Sequence, residues 1–186
     1  MNEVTTVGVL GSGTMGAGIA QVAAEAGLEV LLHDPIPGAT DRARERIGAF
    51  LSRKVEKDQL ADADRTAAVG RIVASPMLEG LAVADIVIEA IPEDLDLKRD
   101  AFRRLDGVAQ NTTILATNTS SLAVARIAGA TLHPGRVIGM HFFNPVPLMA
   151  LVEVIPGPMT DPAVTDSVAL LARLRGKTPV VAADTP

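Results

Sequence analysis

The 186-residue sequence contains no cysteine, tryptophan or tyrosine. The absence of cysteine excludes disulfides, thiolate metal sites and thiol nucleophiles, and we predict no metal site. Basic residues are also few, with 17 Lys and Arg against 22 Asp and Glu, and no basic run is longer than Arg103-Arg104. The chain therefore lacks the basic surface that binding to nucleic acid or to an anionic membrane would require, and neither is predicted as a partner. With 48% hydrophobic residues it is expected to fold as an ordinary globular protein.

Residues 4–24 carry no charge, which is a feature of signal peptides and of membrane spans. Five glycines and the polar residues Ser12, Thr14 and Gln21 interrupt this stretch, however. The interruptions favour a strand, a glycine-rich turn and a helix instead. We therefore predict a cytoplasmic protein without a membrane segment.

Short runs rich in Val and Ile alternate with stretches of helical periodicity along the chain. This alternation is typical of repeated βαβ units around a mostly parallel sheet. The sequence predicts an α/β fold with a doubly wound sheet in one domain, residues 1–186. The predicted strands are residues 7–10, 30–33, 86–90, 114–117, 137–140, 151–155 and 179–181.

The region 39–71 differs from the rest, because residues 41–57 are heavily charged and have only sparse apolar anchors. This composition predicts a helical arm that projects into solvent. The usual interpretation of such a stretch is simply a helix whose charged face is solvated.

A glycine-rich segment, residues 11–16, reads Gly-Ser-Gly-Thr-Met-Gly after a predicted strand and at the start of a predicted helix. In this context Gly11 permits the tight turn, Gly13 lets the backbone approach a pyrophosphate, and Gly16 allows close packing of the helix. The N–H groups at the helix N-terminus favour an anion. The segment predicts a Rossmann-type dinucleotide site with cofactor contacts from Gly11, Gly13, Thr14, Met15 and Gly16.

Asp34 ends the second predicted strand, 23 positions after Gly11. A carboxylate there accepts hydrogen bonds from the adenosine ribose hydroxyls and repels a 2′-phosphate, so NAD is predicted rather than NADP. The alternative is an ordinary strand-to-helix turn in which Asp34 only opens the loop beside Pro35.

His141 follows the predicted strand 137–140, and Glu153 lies in the next one. A histidine titrating near neutral pH can take a proton from an alcohol, and a neighbouring carboxylate orients it and stabilises its charged form. The alternatives are a buried core histidine beside two phenylalanines and an exposed strand carboxylate.

Four blocks carry a resemblance that extends over essentially the whole chain: GSGTMGAGIA at 11–20, IEAIPEDLDLK at 88–98, ATNTSSL at 116–122 and HFFNPVPLMALVEVI at 141–155. The sequence resembles the 3-hydroxyacyl-CoA dehydrogenase family, which includes 3-hydroxybutyryl-CoA dehydrogenases. The resemblance implies the NAD-binding domain of an oxidoreductase that converts an (S)-3-hydroxyacyl-CoA to a 3-oxoacyl-CoA with NAD, reversibly.

The resemblance also implies roles for particular residues. His141 corresponds to the catalytic general base, Glu153 to its paired carboxylate and Ser120 to the serine that contacts the thioester substrate. Further residues are implied on the cofactor side, Ala90, Glu93, Lys98 and Asn118, and on the substrate side, Asn144 and Lys57. Without the resemblance, Glu93 and Lys98 would be a surface pair on a helix, and Ser120 or Ser121 a helix N-cap.

Members of the family continue past an Asp-Thr-Pro segment into a helical second domain that completes the acyl site and forms a homodimer. This chain ends at Pro186, so the second domain is expected to be absent. The alternative function is therefore an isolated NAD-binding module without catalysis. A 3-hydroxyisobutyrate-type dehydrogenase is a further alternative, but it relies on a lysine where this chain offers His141. The acyl chain length and the carrier, CoA or an acyl carrier protein, stay open.

Overall fold

The computed structural model describes residues 4–174 and 176–185, so Pro186 lies outside the described residues. Within these residues the strands are β1 (Thr6–Leu10), β2 (Glu29–His33), β3 (Ile72–Ala74), β4 (Ile86–Glu89), β5 (Ile114–Thr117), β6 (Val137–Phe142), β7 (Leu151–Pro156) and β8 (Thr178–Val181). The helices are α1 (Thr14–Glu25), α2 (Ala39–Val55), α3 (Asp62–Gly70), α4 (Leu95–Val108), α5 (Val124–Ala128) and α6 (Pro162–Leu174). Short 3₁₀ segments cover Leu78–Val83 and Pro134–Arg136.

The strands form one sheet in the order β3-β2-β1-β4-β5-β6-β7-β8. Neighbouring strands are parallel, except that β7 runs antiparallel to β6. The chain moves from β1 outward to β2 and β3 and then returns to the other side of β1 as β4. This reversal opens a crevice at the carboxyl ends of β1 and β4, where doubly wound sheets bind ligands. The predicted Rossmann-type fold is confirmed.

Both faces of the sheet are covered, which is why its central strands are apolar on both sides. On one face, Ile19 and Ala23 of α1 pack with Val168 and Leu171 of α6 in one buried cluster. On the other face, α4 and α5 contribute a second cluster that includes Phe102, Leu105 and Ile127. The apolar faces of these helices are therefore the faces that pack on the sheet.

The structure corrects the end of β6, because the predicted strand stopped at residue 140 and the observed one continues to Phe142. Antiparallel pairing with β7 extends the ladder, and Phe142 lies opposite Val152. His141 is therefore a strand residue and not the first residue of a loop. The short strand β3 and the helix α3 were not predicted.

The charged region 39–71 forms α2 and α3, which contact each other and α1. Most of its charged side chains are solvated, as the sequence predicts. One stripe of α2, made of Ala43, Ile47 and Leu51, is nevertheless buried in the same cluster as α1. This spacing of four residues is enough to fix α2 to the domain. Across the part of the chain that is described, no helix combines the length and the apolar character needed to cross a membrane.

Candidate active site

The glycine-rich turn joins β1 to α1 and has the shape needed to hold a pyrophosphate. Gly11 has a positive φ of 97°, and a Cβ on Gly16 would lie 1.8 Å from the Gly11 carbonyl oxygen. A Cβ on Gly13 would meet no atom within 4 Å, so the space beside this backbone is open. No side chain caps the N-terminus of α1, and its first turn contains no acidic residue. The turn therefore fits the phosphates of a dinucleotide.

Asp34 directly follows β2 and faces this turn. Its Oδ2 accepts hydrogen bonds from the N–H and the hydroxyl of Ser12, both at 2.8 Å, and its Oδ1 accepts from the N–H of Ile36 at 3.0 Å. Partial burial raises the pKa of Asp34, but the hydrogen bonds from Ile36 and Ser12 outweigh it, so that the pKa lies below its ordinary value. Asp34 is thus a fixed carboxylate beside the turn.

Two cavities meet at the crevice between β1 and β4. The larger, about 650 Å³, is lined by the turn, by Asp34 and by apolar side chains such as Ile36 and Leu78. The smaller is about 330 Å³. Met15 and Ala90 line both cavities, so the two spaces are adjacent. A long ligand bound along the crevice would extend from Asp34 towards the smaller cavity.

The smaller cavity brings together most of the residues predicted for chemistry. It is lined by Met15, Ala90, Ile91, Glu93, Asn118, Ser120, His141, Phe142, Phe143 and Asn144. These residues come from α1, the loop after β4, the loop after β5 and the end of β6. These residues are far apart in sequence but close in space, because the parallel strands end at the same edge of the sheet.

His141 and Glu153 are directly opposite each other in the antiparallel pair of β6 and β7. The Nδ1 of His141 lies 2.7 Å from Oε2 of Glu153. Because a carboxylate only accepts, Nδ1 carries the proton and the neutral ring keeps Nε2 as an acceptor. The imidazole is 17% exposed and lies 4.6 Å from the Phe143 ring, centroid to centroid. The pair is therefore oriented and remains accessible from the cavity.

Glu93 holds the loop after β5. One of its carboxylate oxygens accepts from the Thr119 hydroxyl and from the N–H groups of Ser120 at 3.0 Å and Ser121 at 3.1 Å. Partial burial raises the pKa of Glu93. The Thr119 hydroxyl bond, the Lys98 charge and the two N–H groups outweigh this effect, and the pKa lies below its ordinary value. Glu93 therefore positions Ser120 at the cavity.

Lys98 has a different environment from the one predicted. Its side chain is 0% exposed, and its Nζ lies 2.6 Å from Oε1 of Glu89 and 3.4 Å from Oε2 of Glu93. Because its side chain has no exposed surface, Lys98 reaches the lining of the cavity through Glu93 and through the Ile91 carbonyl at 3.4 Å, and its predicted cofactor contact stays a prediction. The surface pair considered as the alternative is wrong for the same reason.

Glu89, the last residue of β4, was missed in the sequence. Its other hydrogen bonds come from the Thr117 hydroxyl at 2.7 Å and from the Ile91 N–H at 2.7 Å. The Glu89 carbonyl also accepts the Asn118 N–H at 2.8 Å, which ties the ends of β4 and β5 together. The available signal was a charged residue ending an otherwise apolar strand.

Asn118 links the end of β5 to the end of β6. Its Oδ1 accepts the N–H of Phe142 at 2.8 Å, beside His141. Asn118 therefore lies in the lining of the smaller cavity beside His141, and its predicted cofactor contact stays a prediction.

The serines of the loop do not cap α5. This helix begins at Val124, and the Asp184 carboxylate accepts from the N–H groups of Val124 at 2.7 Å and Ala125 at 2.8 Å. The N-cap interpretation of Ser120 and Ser121 is wrong, because a carboxylate sixty residues later satisfies these donors. Ser120 is exposed at the cavity instead.

Lys57 is not brought to either cavity. It lies exposed in the turn after α2, next to Asp58, which has a positive φ of 55°. Its proposed contact with the substrate stays a prediction.

Comparison with known proteins agrees with this architecture. The family model for the 3-hydroxyacyl-CoA dehydrogenase, NAD binding domain, matches residues 6–185 and names NAD as the ligand of the domain. A probable 3-hydroxybutyryl-CoA dehydrogenase of Bacillus subtilis is 45% identical over 99% of this chain and 64% of that protein. A 3-hydroxybutyryl-CoA dehydrogenase of Clostridioides difficile is 42% identical over 96% of this chain and 63% of that protein.

A crystal structure of 3-hydroxybutyryl-CoA dehydrogenase from Escherichia coli K12 superposes with a TM-score of 0.97 and 43% identity, covering 100% of this chain and 39% of that chain. The chain thus spans less than two thirds of the length of these relatives. The match over nearly all of its own length is sufficient to assign the family. This chain belongs to the 3-hydroxyacyl-CoA dehydrogenase family and corresponds to its NAD-binding domain.

Proposed function

We propose that the protein catalyses the reversible oxidation of an (S)-3-hydroxyacyl-CoA to a 3-oxoacyl-CoA with NAD, and that His141 is the general base. The observation that carries this proposal is the 2.7 Å contact between His141 and Glu153 at a cavity next to the glycine-rich turn. The relatives from Bacillus subtilis and Clostridioides difficile are named as 3-hydroxybutyryl-CoA dehydrogenases, which supports the same reaction class.

The proposed mechanism uses the orientation of the imidazole. The Nδ1–H of His141 donates to Glu153, so Nε2 accepts the proton from the substrate hydroxyl. The Glu153 carboxylate stabilises the imidazolium that forms and keeps the ring in this tautomer. Bound NAD⁺ supplies the acceptor for the hydride that leaves the carbinol carbon. In the reverse direction the imidazolium returns its proton to the oxygen of the 3-oxo group.

The surrounding residues position the substrate. Ser120 is held by Glu93 with its side chain at the cavity, where a hydroxyl can contact the substrate oxygen. Asn144 lines the same cavity and offers an amide to the thioester. We propose these two residues, together with the more distant Lys57, as the substrate contacts from this domain.

The experiment follows NADH emission, which the absence of Trp and Tyr leaves nearly free of background. Emission that rises when NADH is added to the 186-residue chain, and then decays after acetoacetyl-CoA is added, supports the reductase direction. Emission that rises and stays constant supports the alternative, an NAD-binding module without catalysis. The same assay with acetoacetyl groups on an acyl carrier protein compares the two thioester carriers.

The His141→Gln variant tests the base. Loss of general acid–base catalysis costs about 10²- to 10⁴-fold in rate, whereas NADH affinity is expected to change little because the turn and Asp34 are untouched. His133→Gln is the matched control, because His133 is 52% exposed and bonds Asp106 away from the cavity. A fall in NADH affinity equal to the fall in rate would indicate a structural role for His141. The homodimer expected of the full-length form stays a prediction that sedimentation of such a form would test.

A further inference from the structure

Two arginines of α2 lie beside the Asp34 end of the crevice. The Nη2 of Arg46 donates to the carbonyl of Ser12 at 2.9 Å, inside the glycine-rich turn. The Nη1 of Arg42, one helical turn earlier, donates to the carbonyl of Pro37 at 3.4 Å, in the loop that follows Asp34. The two guanidinium groups therefore hydrogen-bond the two backbone segments on either side of the Asp34 carboxylate, one group to each segment.

Neither positive charge is neutralised by a close partner. Among residues 4–174 and 176–185, no carboxylate lies within ion-pair distance of Arg42 or Arg46. The carboxylate of Asp34 accepts its hydrogen bonds from Ser12 and Ile36 instead. Both arginines are exposed on the helix. Two cations thus stand near one fixed anion, and each retains guanidinium N–H donors beyond its carbonyl contact.

We propose that Arg42 and Arg46 attract a 2′-phosphate on the dinucleotide, that the Asp34 charge outweighs this attraction, and that the phosphate is bound once the Asp34 charge is removed. A carboxylate at this position repels a second anion on the ribose, whereas nearby arginines accommodate it. The site therefore contains two cations that can bind a phosphate, Arg42 and Arg46, and one carboxylate that repels it, Asp34. This inference concerns the cofactor end of the crevice and does not depend on the reaction at His141.

The test measures dissociation constants of NADH and NADPH from their emission. Asp34→Asn removes the charge and keeps an acceptor oxygen for one of the neighbouring N–H groups. We expect NADPH affinity to rise about tenfold or more, and NADH affinity to fall, because ribose hydroxyls lose a charged acceptor. Asp34→Ser is the second variant, and thermal unfolding of each shows that it is folded.

The arginines are tested on the Asp34→Asn background. Arg46→Gln and Arg42→Gln should each lower NADPH affinity several-fold and reduce its dependence on salt. Arg53→Gln is the matched control, because it removes the same charge from the same helix about 10 Å further along. Equal losses in all three variants would mean that only net charge matters and would overturn the assignment.

Adenosine bisphosphates separate a cofactor phosphate from the 3′-phosphate of CoA, which has the same chemistry. Each competes with NADH, and the measured quantity is its affinity relative to AMP. The proposal requires that Asp34→Asn favours adenosine 2′,5′-bisphosphate over the 3′,5′ isomer and that Arg46→Gln removes this preference. A preference for the 3′,5′ isomer would overturn it.

The same ratio can be measured with Asp34 intact, in case neither Asp34 variant folds. There Arg46→Gln must lower the affinity of the 2′,5′ isomer relative to AMP. An unchanged ratio contradicts the proposal without any change at Asp34.

Discussion

Replacing Lys98 with methionine would leave a buried carboxylate without its cation. The Lys98 ammonium lies 2.6 Å from Glu89, and both side chains are 0% exposed. Glu93, 3.4 Å away, is its second partner and is 36% exposed. Methionine preserves most of the volume of the lysine stem, so the change removes charge more than packing.

The expected cost is large because Glu89 cannot be rehydrated in place. Removing one partner of a buried ion pair costs about 3–5 kcal/mol in free energy of unfolding. For a chain of this size each 1 kcal/mol shifts the melting temperature by about 2–4 °C, so the expected shift is about 10 °C. The double variant Glu89→Gln/Lys98→Met removes both charges, and its cost should be smaller than the sum of the two single costs by about 1–3 kcal/mol.

The assay is urea unfolding followed by far-UV circular dichroism for the wild type, both single variants and the double variant. Lys54→Met is the matched control, because its ion pair with Glu25 is partly exposed, with side chains 31% and 20% accessible. That pair should contribute no more than about 1 kcal/mol. The reasoning is refuted if Lys98→Met costs less than about 1 kcal/mol, or if the two single costs simply add.

Two other predictions follow from the geometry. Gly16→Ala places a Cβ 1.8 Å from the Gly11 carbonyl oxygen, so it should abolish NADH binding and destabilise the fold by about 1–3 kcal/mol or more. The control is Gly107→Ala, whose Cβ would meet no atom within 4 Å and which should stabilise α4 by about 0.5–1 kcal/mol. Equal losses of stability in both variants would contradict the steric argument. Because the pKa of Glu93 is lowered in the folded state, its contribution to stability is present above the ordinary carboxyl value of 4.5 and is lost as pH falls through the folded pKa. Melting temperatures between about pH 6 and pH 3 should fall less steeply for Glu93→Gln than for the wild type, and parallel curves would count against the network around Glu93.

Periodicity in the sequence was sufficient for most of the fold. Runs of Val and Ile identified seven of the strands in residues 4–174 and 176–185, because parallel strands buried on both faces need apolar side chains throughout. The three-residue β3 was missed, since so short an edge strand carries too little pattern. The end of β6 was misplaced for another reason: its last residues are held by pairing with β7, and pairing leaves no local signal at His141.

The site divides in the same way. The glycine spacing is a local requirement of one turn, so residues 11–16 and Asp34 indicate a dinucleotide site from the sequence alone. The pairing of His141 with Glu153 was suggested by family resemblance. The distance of 2.7 Å results from their opposite positions in an antiparallel register.

Lys98 shows why the sequence does not determine which carboxylate pairs with a given cation. Glu93 and Glu89 are five and nine residues before it, and both belong to the block that resembles the family. The sequence alone established a doubly wound NAD-binding domain and the types of residue around its crevice, because these depend on local backbone geometry and on hydrophobic periodicity. The packing of β4, β5 and α4 determines which charges are buried, which carboxylate pairs with Lys98 and which loop Glu93 orders. The sequence does not determine these features, because burial and long-range contacts exist only once the strands lie side by side.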